Sequence, residues 1–430
     1  MSTTHVDPPG GHSRPAVPFS ATEALARCVA VEPAKFAADH WGRSPLLSRA
    51  AELPNPDGFT DLLSPAGADE LLSRRGLRTP FLRVAKDGQL VPAARFTGGG
   101  GAGAEIGDQV LDEKVLALYA DGATLVLQGL HRTWPALVDF ARDLGTALAQ
   151  PLQVNAYLTP AGSQGFATHY DTHDVFVLQV DGRKHWRIHP PVLVDPLERQ
   201  PWGGRADEVS ATADGRPALD VVLEPGDALY LPRGWLHSAQ AQESSSLHLT
   251  VGIRALTRYA VVEELLALAA EDARLRASLP FGLDLADPDA IEPELTETVE
   301  ALRDWLLRAD PAAVADRLRA RVWPASRPAP IRPLAQAEAL ARLTPDSEVA
   351  VRGGLRWQLT PGAGGRVTLR VPDRTLTLPG TCEAALRALL TGEVTRVGDL
   401  PGLDDDADRL TLTRRLLKEA VLTPARPGRS

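Results

Sequence analysis

The chain has 430 residues, 44% hydrophobic and 23% charged, with a formal net charge of -9. That length favours two to four domains with a sizeable core, and the acidic balance argues against a general nucleic-acid binder, which needs clustered Lys and Arg. The two cysteines, Cys28 and Cys382, are too few and too far apart for a disulfide framework or a thiolate zinc site, and suit a reducing compartment.

In chain order, residues 1–20 read as a disordered tail. The segment MSTTHVDPPGGHSRPAVP has neither the apolar core nor the basic start of a secretory signal. No apolar run is long enough to span a membrane, so a cytoplasmic protein is expected. Residues 21–50 read as helical, with Leu25, Cys28, Val29, Phe36 and Trp41 apolar and Pro45 as a stop. TGGGGAG (97–103) reads as a mobile loop. Then strands begin with ATLVLQ (123–128), followed by a helix over 134–149. Short β-rich runs follow at 154–158, 174–180, 184–189, 219–223, 228–232 and 246–253, with turns such as VDGRK and EPGDA between them. Many short strands with such turns predict a mainly β domain, a double-sheet jelly roll of the cupin type.

Helices are predicted at 257–278, about 293–308 and about 311–321, then a proline-rich linker at 324–335. The last segment, 336–424, carries strands at 348–353, 355–359, 366–371 and 375–379 and helices at about 381–391 and 406–419. It reads as a winged-helix-like α+β domain. Its last helix starts acidic and offers only Arg409, Arg414, Arg415 and Lys418 as cations, so direct DNA binding is not expected.

The chemistry concentrates where the histidines do: six of ten fall between His169 and His248. His169 and Asp171 are two apart, which in an extended segment puts both on one face. His237, after the Pro232-Arg233-Gly234 turn, offers a third ligand. Two histidines and a carboxylate make the facial triad of non-haem Fe(II) oxygenases. This sparse set leaves three positions of an octahedral ion for a bidentate 2-oxo acid and O2. A lone HxD pair is weak support, since surface His and Asp two apart are common. Context strengthens it: a β-run follows, and so does Lys184, which could pair with the distal carboxylate of 2-oxoglutarate. From spacing alone a solvated turn lysine remains an equal alternative.

The segments NAYLTPAGSQGFATHYDTHDVFVLQVDGRKHWRIHPP (155–191), LEPGDALYLPRGWLHSAQ (223–240) and SLHLTVGI (246–253) resemble the JmjC-domain oxygenases, most of all their ribosomal oxygenase subgroup. FAADHWGRSPLL (36–47) is similar to that subgroup's approach to the domain. The resemblance implies a JmjC catalytic domain at 21–255, a helical dimerisation domain at 256–323 and a winged-helix-like domain at 336–424. It also implies that His169, Asp171 and His237 bind Fe(II), and that Lys184, fifteen residues after His169, binds 2-oxoglutarate. On the same basis Asn155 lies near the cosubstrate and Tyr157 contacts substrate; a buried strand aromatic is the equal alternative for Tyr157. The subgroup often has Ser near Gly252. Its absence leaves that contact open, with Thr250 as the substitute. His173, His185 and His189 are expected to be structural or pocket-edge residues.

The function implied is an Fe(II)-, 2-oxoglutarate- and O2-dependent hydroxylase. Its substrate would be an aliphatic side-chain carbon of a protein, such as a ribosomal protein, and the enzyme would be a homodimer. Hydroxylation of a small-molecule or peptide natural product, demethylation, and a non-catalytic binding module stay as alternatives; the intact triad with Lys184 speaks against the last.

Overall fold

The strand DVFVLQVD buries seven of its eight residues, as a strand must when it is covered on both faces and paired on both edges. It is the centre of the architecture. The computed structural model describes residues 19–86 and 88–425. Residues 26–327 form one compact unit, and the described residues outside that range form a second.

The strands of the first unit, in chain order, are β1 (Leu46–Ser48), β2 (Leu82–Lys86), β3 (Gln89–Leu90), β4 (Thr97–Gly98), β5 (Gln109–Val110), β6 (Thr124–Leu127), β7 (Leu152–Thr159), β8 (Asp174–Asp181), β9 (Lys184–His189), β10 (Leu219–Leu223), β11 (Ala228–Leu231), β12 (Leu236–Ala241) and β13 (Ser246–Ile253). Eight form one sheet in the order β1-β11-β8-β13-β7-β6-β2-β3. Three more form a second sheet, β10-β9-β12, and β4 pairs with β5. Val175, Val177, Leu229 and Leu231 of the large sheet pack with Trp186, Ile188 and Leu223 of the small one. This is the double-sheet, cupin-like arrangement predicted for the domain.

Antiparallel partners share a face, so the registers define what points between the sheets. On the large sheet these are Thr159, Tyr157, Asn155 and Gln153 of β7 beside Ser246, His248, Thr250 and Gly252 of β13. On the small sheet they are Lys184, Trp186 and Ile188 of β9 beside Ala241, Ala239 and His237 of β12. The apolar cluster fills one part of this interior and the polar rows fill the rest.

Behind the large sheet, the helix Pro135–Leu148 buries Leu137, Phe140, Ala141 and Leu144, the stripe its 3.6-residue period dictates. Phe36 meets Tyr230 edge-on at 5.0 Å, and Trp41 stacks on Tyr230 at 6.1 Å, sealing β8 and β11 from outside.

Several predicted elements are redrawn. The single helix over 21–50 is instead a helix Phe19–Ala26, a turn Pro33–Lys35 continued by a π-helical turn Phe36–His40, and strand β1. Pro33 disfavours helix in the residue before it, and residues 46–48 gain more by pairing with β11. The remainder of the expected tail, 1–18, lies outside the described residues. In the expected 97–103 loop, Thr97 and Gly98 pair with β5. The helix expected over 257–278 stops at Ala269. Beyond it Asp272 takes the Arg274 N–H, a local side-chain bond that competes with helix. A helix, Pro333–Ala341, opens inside the expected linker with proline in its first turn. Strand β12 had no sequence signature, because its inward residues are histidine and alanines rather than large apolar groups.

In the second unit, two three-stranded antiparallel sheets accompany helices at 333–341, 383–389 and 406–418. Leu386, Leu389, Leu412, Leu416 and Leu417 of the latter two helices bury against Val349, Val367 and Leu369.

Candidate metal centre

His169 enters the site through backbone pairing. Its N–H donates to His237 O at 3.2 Å, and the His237 N–H donates to His169 O at 2.8 Å. This bridge sets the two rings side by side, 4.5 Å between centroids. The intervening Tyr170 points the other way. It is buried with its hydroxyl on Gln200 O at 2.9 Å, so Asp171 returns to the face of His169. One ligand atom each from His169, Asp171 and His237 lies within 4.8 Å of the others, and Asp171 Oδ2 is 3.8 Å from His237 Nε2.

The tautomers suit a metal. His169 Nδ1 donates to Ala167 O at 2.7 Å, and His237 Nδ1 donates to Trp235 O at 3.1 Å. Each ring therefore keeps Nε2 as its free lone pair. Burial, then the neighbouring His169, pushes His237 down to about 4, so it is a neutral ligand at physiological pH. Burial raises the Asp171 carboxyl, but the imidazoles of His173, His237 and His169 together outweigh it and hold the group below the usual carboxylate range. Two neutral imidazoles and one carboxylate fit a divalent first-row ion with open positions.

The turn that delivers His237 is tied down by a residue the sequence did not single out. Asp174 is wholly buried and accepts from Tyr230 Oη at 2.7 Å and from Arg233 N at 3.0 Å. Gly234 sits at φ +87° with its would-be Cβ 2.5 Å from Leu193 O, so only glycine passes here. Gly234 N donates to Asp171 O at 3.0 Å, coupling the two ligand segments.

Lys184 is buried, not a solvated turn lysine. Its ammonium donates to Thr159 Oγ1 at 2.9 Å, across from the small sheet to the large one. Burial pushes it down to about 7. No carboxylate pairs with it among the described residues. A buried cation with only a hydroxyl partner is costly unless an anion completes it. His248 lies near both Lys184 and His237, and burial, followed by the charge of Lys184 and then His237, keeps it well below the usual histidine range. Trp186 stands edge-on to His248 at 5.4 Å and 6.2 Å from His237. Trp186 Nε1 and His248 Nδ1 are buried without hydrogen-bond partners. An elongated dianion with one end at the triad and the other at Lys184 fits these residues.

Tyr157 stacks on His248 at 4.9 Å, and burial, then the Asp171 carboxylate, raises its phenol. Asn155 Oδ1 accepts from Gly129 N at 3.1 Å, which ties β7 to the start of the helix at Leu130. Thr250 lies directly opposite Asn155. All seven expected site residues therefore face one interior. Missed in the sequence were Thr159 and Trp186 as lining groups, whereas residue parity already sets His248 on one face with Thr250. Period-two continuation from Tyr157 and Lys184 would have found them. His185 instead points outward to Asp220.

A JmjC-domain sequence profile matches residues 139–261. Ribosomal oxygenase 1 of Gallus gallus is 32% identical over 283 residues, which is 63% of this chain and 45% of that protein. The bifunctional lysine-specific demethylase and histidyl-hydroxylase NO66 of Drosophila persimilis is 32% identical over 263 residues, 58% of this chain and 35% of that protein. The chain thus spans less than half the length of these two relatives. Among solved structures, YcfD, a ribosomal oxygenase from Escherichia coli in complex with cobalt and 2-oxoglutarate, shares the fold. It superposes with a TM-score of 0.50 at 18% identity, covering 92% of this chain and 99% of that one. Residues 139–261 thus match the JmjC domain, the chain is similar over much of its length to proteins named ribosomal oxygenase, and it shares the fold of YcfD.

Proposed function

We propose that this protein is an Fe(II)- and 2-oxoglutarate-dependent hydroxylase of an aliphatic side-chain carbon in a protein substrate, a ribosomal protein in the first instance. The observation that carries this reading is the buried Lys184, partnered among the described residues by a hydroxyl and no carboxylate, on the same interior as the His169–Asp171–His237 cluster.

Bound Fe(II), with 2-oxoglutarate and O2, supplies the chemistry: one oxygen goes to the C–H carbon, the other to succinate, with loss of CO2. The chain's residues do the rest. His169 and His237 present Nε2 because their Nδ1 protons are held by backbone carbonyls. Asp171 contributes the one negative charge. Lys184 takes the distal carboxylate, and Thr159 fixes its ammonium. His248 stays neutral and adds no competing charge. Val175, Val177 and Leu229 keep water from the inner end.

The names of the relatives bear on the substrate. Relatives carry the names ribosomal oxygenase and histidyl-hydroxylase, which favours a protein over a small molecule. The demethylase half of one name favours a second reading, in which hydroxylation of an N-methyl carbon releases formaldehyde. We assign the boundaries 21–255, 256–323 and 336–424 to catalytic, dimerising and winged-helix-like domains. Exposed Leu266, Leu295, Val299, Leu306 and Leu307 on the helical segment support an isologous homodimer. In the last helix Arg409 is spent on Leu400 O and Leu403 O, and Arg415 pairs with Glu419, which supports a scaffold role over DNA binding. No described helix is long and apolar enough to cross a membrane; a cytoplasmic location suits a chain with only two cysteines, far apart in sequence.

The test is incubation of extract proteins with the iron-loaded enzyme, 2-oxoglutarate and air, read by mass spectrometry. Gain of one oxygen, about 16 Da, is the hydroxylase outcome. Formaldehyde release with loss of a methyl is the demethylase outcome. Turnover of 2-oxoglutarate without O2, or unchanged by His169→Ala, would sink both.

A further inference from the structure

The inward rows of β7 and β13 run one step past Asn155 and Thr250, to the directly paired Gln153 and Gly252. There the large sheet has no side chain of its own on β13. The space is taken by His173, two residues after Asp171. A Cβ built on Gly252 would lie 2.7 Å from both Cδ2 and Nε2 of that imidazole. A side chain at 252 would therefore have to displace this ring, and Gln153 Cγ at 2.9 Å as well, so the ring rests on bare backbone.

The ring is also oriented. Gln153 Nε2 donates to His173 Nε2 at 3.0 Å. With that nitrogen accepting, the neutral imidazole carries its proton on Nδ1, which is left as a donor. On one side of the ring lies the Asn155–Thr250 row, and the imidazole is close enough to bear on the carboxyl of Asp171, two residues before it. On the other lies a cleft of about 640 Å³, lined by Gln153, Thr172, His173, Arg233, Arg254 and Tyr259 among others. None of the three expected metal ligands lines that cleft. His173 thus stands where that row meets the cleft.

We propose that His173 is a specificity-determining residue. Seated on Gly252 and tied to Gln153, its imidazole closes the metal position off from the cleft. It limits target side chains to short ones that bring a hydrogen-bond acceptor to Nδ1–H. This rests on the hydroxylase reading above. The logic is that of any walled pocket: lost wall atoms admit extra methylenes, and a lost donor removes discrimination by the acceptor it served.

Two measurements on the full chain test it. The first is a melting-temperature cycle of the metal-free protein with Gly252→Ala, His173→Ala and both. Gly252→Ala is expected to lower the melting temperature by several degrees with His173 present and by clearly less in the His173→Ala background, where only the 2.9 Å approach to Gln153 Cγ remains; equal losses in both backgrounds would overturn the packing argument. The second uses iron-loaded enzyme on a peptide library varied only at its central residue. Products are read by mass spectrometry and normalised to each enzyme's own total. His173→Ala should shift product about tenfold toward longer, acceptor-free centres. His173→Gln, which retains a donor, should restore the acceptor preference. The same profile from wild type and His173→Ala would overturn this inference alone. No product from either enzyme on any peptide would overturn the protein-hydroxylase reading, and this inference with it.

Discussion

Lys184→Met removes the charge and keeps most of the stem, and it should change stability and ligand binding in opposite directions. The folded protein holds the Lys184 amine down from 10.5 to about 7 through burial. A displacement of that size corresponds to about 5 kcal/mol, an upper bound on what burying the cation costs. Between those two pH values the unfolded chain binds more protons than the folded one, so stability rises with pH across the window. The cost is full below pH 7 and is relieved by about pH 10.5. Methionine removes it without stranding Thr159, whose hydroxyl keeps Thr124 Oγ1 at 3.2 Å. If about 2 kcal/mol of the bound is realised, the metal-free variant melts ~4–8 °C higher at pH 7, an advantage that shrinks toward pH 10. The same change leaves the distal carboxylate of 2-oxoglutarate buried and unpaired. Its affinity for metal-loaded protein, followed calorimetrically, should fall by roughly a hundredfold or more. A variant that melts lower at pH 7 and still binds 2-oxoglutarate within about threefold of wild type would refute both halves of the reasoning.

Asp174→Asn should lower stability by about 3 kcal/mol, because Arg233 and Tyr230 lose a buried anionic partner. It should also weaken Co(II) binding although no ligand is touched, since Asp174 anchors the turn that delivers His237; denaturant melts and metal titration report the two effects. His237 is neutral down to about 4 in the folded protein against 6.5 for its ordinary value. Metal-free protein should therefore lose up to about 3 kcal/mol as pH falls from 6.5 toward 4. His237→Asn should flatten that slope in denaturant melts across the range, and an unchanged slope would show that other groups carry it.

Much of the fold was legible because short β-rich runs such as KHWRIH, LDVVL and SLHLTVGI are bounded by turns, and a strand's face follows from residue parity alone. The same parity places His169 with Asp171, while Asn155 and Tyr157 enter through the family resemblance. Strand β12 was not legible, since its inward residues, His237, Ala239 and Ala241, carry no apolar signal; it exists through backbone pairing with β9. Residues 21–50 misread as one helix because their apolar spacing permits it, while Pro33 and pairing to β11 forbid a continuous one.

The sequence by itself determined the ligand chemistry. Two histidines, one aspartate and a lysine in β-rich context define a charge and donor set whatever the loops between them do. Only the tertiary structure decided which of these residues meet. His169 and His237 are 68 positions apart, and a pair of backbone hydrogen bonds brings them together. It also decided that Lys184 is buried, which turns a surface cation into one that needs an anion. Burial and long-range contact are properties of the packed sheets, and local spacing carries no information about either.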